Sequence, residues 1–236
     1  MTPALDDAFI CDSVPAEIMD KVWAAGWRHF GRYFFRYSSQ QANDGSTHTI
    51  TPLRIDLVQF TATKSQRRVL TKNADLRYDI VPAALDDDLR AMFQRHKQRF
   101  THNVPEDLET FLGPDPATGP CECRMLRVFD VDRLIAASFF DVGQQAASSI
   151  YGIFDPDERK RSLGIFTMLL EIQHCRDSGL RWLYPGYATH EPSAYDYKKQ
   201  FRGTEMLDWS TGEWLPATQA IRQGTPHRRD QNAAEV

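Results

Sequence analysis

The sequence predicts an α+β fold: a mixed sheet flanked by helices, with a smaller N-terminal α/β portion. Two observations point there. Three apolar stretches, residues 123–128, 134–141 and 146–154, are joined by Asp130-Val131-Asp132 and Gly143-Gln144-Gln145. Links that short make hairpins, so these strands form an antiparallel meander. Helical patterns flank the meander at residues 86–100 and 162–178. The chain of 236 residues allows one large domain or two small ones. Its 42% hydrophobic and 11% aromatic residues supply a core and exclude a largely disordered chain.

In chain order, Ser13 and Pro15 open a helix through Ile18, Val22 and Trp23 to Gly26, with hydroxyl cap, early proline and terminal glycine in their favoured places. The aromatic run 27–37 reads as one strand, and 38–49 as a polar loop with the turn signal Asn43-Asp44-Gly45. Leu53, Ile55, Leu57 and Phe60 mark a second strand with one irregularity in its alternation. Residues 64–73 hold a short helix with four cations, and Leu76, Tyr78, Ile80 and Val81 a strand into Pro82. Two helical patterns follow at 86–100, with Leu89, Met92, Phe93 and His96 on one face, and at 105–112. Beyond the proline-rich loop 113–120 and the meander come the helix 162–178, a strand 181–184, a helix near 193–201 and a strand 205–209. The expected organisation is an N-terminal region 1–82, a larger domain 83–215 and a solvated tail 216–236 with no apolar period.

Charge and targeting signals narrow the function. Lys and Arg number 28 against 32 Asp and Glu, giving a net charge of -4 and a pI near 6.0. Such a balance does not suit a general nucleic-acid coat, whose affinity comes from cations displacing counterions. Cations nevertheless concentrate at residues 64–72, 159–161 and 198–202 while acids gather at 86–88 and 106–109, so a local basic site is compatible with the average. No run of about 18 apolar residues and no basic-then-apolar leader is present, so the expected location is the cytoplasm, with no membrane partner. The four cysteines, Cys11, Cys121, Cys123 and Cys175, read as free thiols. Cys121-x-Cys123 resembles half a metal site, but no third or fourth ligand stands near it in sequence, so no metal and no cofactor is expected. Hydrolase, nucleotidase and dehydrogenase fingerprints are absent.

The start of the helix at 162, Arg159-Lys160-Arg161-Ser162-Leu163-Gly164-Ile165, offers unpaired backbone N–H groups, a positive dipole end, cations and a glycine, which together suit phosphate. Its spacing resembles the Arg-x-x-Gly-x-Gly/Ala pyrophosphate loop of GCN5-related N-acyltransferases, with Phe166 in place of the last small residue. A larger set of segments runs in order over residues 14–214: Trp27-Arg28-His29-Phe30-Gly31-Arg32-Tyr33, Pro52-Leu53-Arg54-Ile55, Lys64-Ser65-Gln66-Arg67-Arg68, Asn73-Ala74-Asp75-Leu76, Phe154-Asp155-Pro156-Asp157, Ser162-Leu163-Gly164, Gly186-Tyr187 and Tyr197-Lys198-Lys199-Gln200-Phe201-Arg202. Together they resemble the aminoacyl-tRNA–protein transferases, the arginyltransferase and bacterial aspartate/glutamate leucyltransferase family.

The resemblance implies a GCN5-related N-acyltransferase-like sheet and transfer of an amino acid, Arg or Leu, from aminoacyl-tRNA to an amine, by direct attack on the ester. The acceptor it implies is a protein N-terminus beginning with Asp, Glu or oxidised Cys; a small-molecule amine is the other acceptor considered, and DNA is not an expected partner. It makes Lys64, Ser65, Gln66, Arg67, Arg68, Asp155, Arg161, Ser162, Gly164 and Arg202 candidate tRNA- or substrate-binding residues. Tyr187, Tyr197, Lys198 and His190 become candidates for the acyl-transfer cleft, His190 as a loop imidazole able to take the amine's proton. The family also carries a cysteine cluster around the 27–37 region that ligates a metal or iron–sulfur centre. Here residues 38–51 hold no cysteine and upstream only Cys11 remains. Downstream, Ala188-Thr189-His190-Glu191-Pro192-Ser193 replaces the family's Pro-Gly-Cys and Lys-Met. Two rival readings are an acyl-CoA-dependent N-acyltransferase and a non-catalytic module that binds tRNA or acidic N-termini.

Overall fold

The computed structural model describes residues 4–41, 45–100, 104–193 and 196–218. The elements are β1 (Asp6–Ile10), α1 (Ala16–Ala24), β2 (Arg28–Phe30), β3 (Tyr33–Tyr37), β4 (Ser39–Gln41), β5 (Thr47–Asp56), α2 (Lys64–Lys72), β6 (Arg77–Pro82), α3 (Asp87–Lys97), α4 (Glu109–Leu112), β7 (Cys123–Asp130), β8 (Arg133–Val142) and β9 (Ala146–Phe154). A 3-10 turn (Pro156–Arg161) leads into α5 (Leu163–Asp177), β10 (Trp182–Thr189), a second 3-10 turn (Asp196–Gln200), β11 (Thr204–Leu207) and β12 (Trp214–Pro216).

The large sheet runs β12-β11-β5-β10-β9-β8-β7-β6, with β4 added on β5, and β1-β3-β2 make a small second sheet. The α+β class with a mixed sheet between helices is as expected. The meander β7-β8-β9 is antiparallel, whereas α5 carries the chain over to β10, which pairs parallel to β9. β5 and β6, from the first 82 residues, lie in the same sheet as β7–β12.

Each face buries its own core. On one, α5 and α2 lay Leu163, Phe166, Leu169, Ile172, Val69 and Leu70 against Leu126, Val128, Ala136 and Phe140. On the other, α3 and α4 set Leu89, Phe93, Phe111 and Leu112 against Met125, Ala137 and Phe139. Beside these, α1 and the small sheet contribute Met19, Trp23 and Phe34 around Ala146 and Tyr184. The alternation of β8 separates the faces, because successive side chains in a strand point to opposite sides.

Several local expectations are revised. The run 27–37 is two strands, β2 and β3, reversing at Gly31-Arg32, with Gly31 at φ +51°. The aromatic residues on both sides of Gly31-Arg32 make the stretch read as one strand, and only the pairing of β2 with β3 reveals the turn. The polar stretch 38–49 holds β4 and the first residues of β5, and Asn43 and Asp44 lie outside the described residues. β5 tolerates Pro52 because that position falls between the end of β4 pairing at Thr49 and the start of β11 pairing at Leu53. The helix expected over 105–112 shrinks to α4, that near 193–201 becomes a 3-10 turn, and β1 and β12 are additional strands. Most of the expected tail lies outside the described residues.

His96 of α3 is 2% exposed and its Nδ1 stands 3.1 Å from the Phe154 carbonyl oxygen. Burial pushes its pKa down to about 4 from 6.5. Above pH 6.5 neither the folded nor the unfolded state carries the proton; between 6.5 and 4 the unfolded state takes it and the folded state does not, so stability drops as the pH is lowered across that window. The loss amounts to about 3 kcal/mol at most. Urea unfolding of the wild type is expected to show this decline, and His96→Gln a shallower one; equal slopes would refute the assignment.

Candidate functional site

β9 and β10 stay paired only from Ala146 to Ser148, opposite Trp182 to Tyr184. Past that point β9 bulges, with Ile150 skipped between the Phe140–Ser149 and Phe139–Tyr151 pairs. β10 turns through Pro185, which has no N–H to give, and Gly186 at φ +105°, then pairs with β5 alone. The strands therefore fork, and bulges of this kind favour functional clefts.

Arg28 of β2 fills the base of the fork. Its guanidinium donates to Ser148 Oγ at 2.7 Å, to the Tyr184 carbonyl at 3.3 Å and to the Ser149 carbonyl. Main-chain oxygens stranded by the fork thus receive charged donors, the stronger class of hydrogen bond. From the opposite face, Glu171 of α5, 2% exposed, accepts from Ser149 Oγ at 2.5 Å. Lys198, on the second 3-10 turn, joins them. Its Nζ lies 3.3 Å from where a Cβ on Gly186 would sit, and the Arg28 Cζ lies 3.8 Å from that same point. Only glycine leaves both cations this room.

Three charged groups consequently share one poorly hydrated gap. Burial first, and then the Arg28 charge, bring the Lys198 pKa down to about 8 against the opposing pull of Glu171. Burial raises the Glu171 carboxyl, while hydrogen bonds and the two cations hold it back. A lysine with a pKa near the operating pH can exchange a proton during a reaction, and a fixed guanidinium beside it favours negative charge.

α5 begins beside the last residue of β9, Phe154. Ser162, its N-cap, adopts the left-handed conformation (φ +56°, ψ +45°) without a side-chain cap bond, a strained conformation for a non-glycine residue. Gly164 faces the Phe154 ring, 3.5 Å from its would-be Cβ. Arg161, however, is held bidentate by Asp75 at 3.0 Å and by Glu158 at 3.2 Å. A phosphate here would meet the backbone at Ser162–Gly164 rather than that guanidinium. Asp155, expected to bind substrate, instead caps the 3-10 turn through Asp157 N–H and pairs with Arg133 at 3.0 Å and Arg95 at 3.4 Å.

Helix α2 exposes Lys64, Ser65, Arg67, Arg68 and Lys72 beside α5, while Gln66 is buried in a capping box with Thr63. An open surface cavity of about 440 Å³ is lined by Lys64, Arg67, Arg68, Thr71 and Lys72. Arg202 reaches Thr61 Oγ1 at 3.3 Å, and Lys72 Nζ donates to the Lys160 carbonyl. The cations separated in sequence therefore form one basic strip along α2, from Arg202 towards the start of α5.

The tyrosines divide differently. The Tyr187 hydroxyl donates to the Gly26 carbonyl at 2.7 Å, its ring packs edge-on to Phe35 and Tyr37, and burial pushes its pKa up. It ties β10 to the end of α1 and is a poor proton acceptor. Tyr197 packs its ring against the α5 core. His190 lies in another pocket, about 340 Å³, with Thr51, Asp208 and Trp209, and its Nε2 is 3.0 Å from Thr51 Oγ1. Of the expected cleft residues, the fork brings together Lys198 and the Gly186–Tyr187 backbone. It adds Arg28 and Glu171, which sequence reasoning did not single out. A lone carboxylate on the buried stripe of α5, between Leu170 and Ile172, was the available signal for Glu171.

The family's cysteine cluster does not fit this chain. Cys11 donates its thiol to the Ser13 carbonyl at 3.4 Å, and all four cysteines are free. Among the described residues, the one tight group of His, Cys and carboxylate ligand atoms is His29, Cys121 and Asp141, without Cys11.

Comparison with known proteins agrees with the resemblance. The model of the arginine-tRNA-protein transferase C terminus matches residues 89–208. The aspartate/glutamate leucyltransferase of Marinobacter nauticus is 29% identical over 204 residues, covering 85% of this chain and 83% of that protein. That of Stenotrophomonas maltophilia is 33% identical, covering 66% of this chain and 65% of that protein, and that of Xanthomonas campestris pv. campestris 32%, covering 71% and 70%. Among solved structures, the C-terminal domain named for a lysylphosphatidylglycerol synthetase of Agrobacterium fabrum superposes with a TM-score of 0.52 at 15% identity, over 91% of this chain and 70% of that one, a likeness of fold. Among the described residues, no helix is long and apolar enough to cross a membrane.

Removing the Arg28 guanidinium strands the Tyr184 and Ser149 carbonyls in a poorly hydrated gap. Arg28→Met is expected to lower folding stability by about 3 kcal/mol in urea unfolding, and Arg28→Lys, which keeps a charged donor, by less. Equal stability of Arg28→Met and wild type would show that the fork closes without this residue.

Proposed function

The chain belongs to the arginine-tRNA–protein transferase family, and we propose that it transfers leucine from leucyl-tRNA to the α-amine of a protein beginning with Asp or Glu. The names of the curated relatives support that donor and acceptor. The observation that carries the chemistry is the fork, where Lys198 and Arg28 converge on Gly186.

The acceptor nitrogen attacks the ester carbonyl carbon, the carbon–ribose oxygen bond breaks, and an amide forms. The nitrogen loses a proton and the ribose oxygen gains one. Lys198, with a pKa near 8, takes the first proton and returns it to the leaving oxygen, while the Arg28 field stabilises the intermediate oxyanion. An α-amine, with an ordinary pKa of about 7.7 to 8.0, is partly neutral at physiological pH and needs only alignment and proton removal. The α5 N-terminus at Ser162–Gly164 faces the terminal-nucleotide phosphate, and the α2 strip holds the tRNA backbone. Phosphate binding there needs local cations, which the net charge of -4 does not forbid.

Transfer of radiolabelled leucine from leucyl-tRNA to peptides beginning Asp, Glu or Ala tests the reading, with arginyl-tRNA and a small amine run in parallel. Absence of transfer from leucyl-tRNA would refute it. Because Lys198 must be neutral to accept the proton, kcat is expected to rise as pH passes through about 8; Lys198→Ala is expected to lower kcat roughly 100-fold and to flatten that rise.

The combined change Lys64→Ala, Arg67→Ala and Arg68→Ala acts on the other half of the assignment. It is expected to raise KM for tRNA and to reduce the salt slope of binding by about one for each phosphate no longer neutralised, with kcat unchanged. A kcat defect at unaltered KM would place these residues elsewhere in the mechanism.

A further inference from the structure

Cys121-x-Cys123 lacks partners in sequence, but the fold supplies them. β2 brings His29 over the sheet, where its Nε2 lies 2.6 Å from Asp141 Oδ2. Its Nδ1 stands 2.9 Å from the Gly31 carbonyl oxygen. A carbonyl only accepts, so Nδ1 holds a proton, the orienting contact common behind metal-bound histidines; Nε2 shares a second proton with the Asp141 carboxylate and offers its lone pair only when a cation takes that proton's place. The ligand atoms of His29, Cys121 and Asp141 all lie within 4.8 Å of one another, with residue exposures of 4%, 5% and 1%. Cys123 stands directly opposite Asp141 in the β7–β8 register, its thiol donating to the Arg124 carbonyl at 3.6 Å, and burial together with the Asp141 charge raises the pKa of both thiols.

We propose that His29, Cys121 and Asp141, whose ligand atoms already cluster, form a buried tetrahedral site for a thiolate-preferring divalent cation of the zinc class, with Cys123, which stands outside that cluster, moving in as fourth ligand. Bonds of roughly 2.0 to 2.3 Å in a tetrahedron place ligand atoms about 3.3 to 3.8 Å apart. The His29–Asp141 contact opens slightly when a cation replaces the proton between them, and the wider pairs close. Two thiols, an imidazole and one carboxylate suit zinc over magnesium or calcium, which prefer oxygen. Two thiolates and a carboxylate leave one negative charge on a divalent ion, and the Arg28 cation, which acts electrostatically on Asp141, offsets it. An open cavity of about 390 Å³, lined by Pro82, Ala117, Thr118, Glu122, Cys123 and Arg124, gives a route from solvent. The ion would staple β2 to β7 and β8 one residue from Arg28, and thereby hold that guanidinium in the fork.

The full chain, reduced and stripped of metal, is titrated with Co²⁺ alone and read by absorption. One Co²⁺ per chain with thiolate-to-cobalt charge-transfer and tetrahedral ligand-field bands, displaced by Zn²⁺, is expected. The bands are lost in Cys121→Ser and weakened in Asp141→Asn, but kept in Cys11→Ser. Because buried substitutions can impair folding, wild-type protein is also alkylated in mild denaturant with and without Zn²⁺, and the modified peptides mapped; Zn²⁺ should protect Cys121 and Cys123 and leave Cys11 reactive. Absence of thiolate bands in the wild type, their loss in Cys11→Ser, or equal alkylation with and without Zn²⁺ would each overturn the site and leave a hydrogen-bonded His–Asp–thiol cluster.

Discussion

The guanidinium of Arg28 occupies the place where the large sheet stops being continuous. Parallel pairing of β9 and β10 ends after Ser148 and Tyr184, and beyond it each strand follows a different neighbour. Backbone carbonyls at such a break need donors or water. Arg28 meets two of them and Ser148 as well, so the fork is held open while its base stays closed. The bulge of β9 and the Pro185–Gly186 turn separate the strands, and without Arg28 the carbonyls at the base of the gap would lose their charged donor.

The position of Arg28 depends on the small sheet. β2 hydrogen-bonds to β3, β3 to β1, and Phe34 buries the sheet beside Trp23 and Tyr184. The Tyr187 hydroxyl, bonded to the Gly26 carbonyl, ties the far arm of the fork to the turn that launches β2. Gly26 itself sits at φ +83°, with Trp209 2.6 Å from where a Cβ would be, so the turn is closed in from outside. An N-terminal portion that contributes little to the main core therefore sets the geometry of the cleft.

Electrostatics inside the fork differ from those on its flank. In the gap, desolvation works against every charge and makes Lys198 readily deprotonated. On α2 the cations remain in water, where they attract phosphate at long range and respond to salt. In the proposed reaction one surface guides a polyanion and the other exchanges protons at the reacting centre. The acidic average of the chain conceals both.

The sequence by itself determined the meander β7-β8-β9, the helices α2, α3 and α5, and the family, because each rests on local periodicity, short links or motif order. It also marked Lys198 and the α2 cations. It misplaced the β2–β3 turn inside an aromatic run and stopped β10 at Tyr184, because strand ends depend on partners distant in the chain. Only the tertiary structure decided that Arg161 and Asp155 are committed to ion pairs, that Tyr187 is a tether, and that Arg28 and Glu171 meet Lys198. It alone set His29 and Asp141 around Cys121 and Cys123. Such convergence is created by sheet order and register, which bring together side chains that no spacing rule along the chain relates.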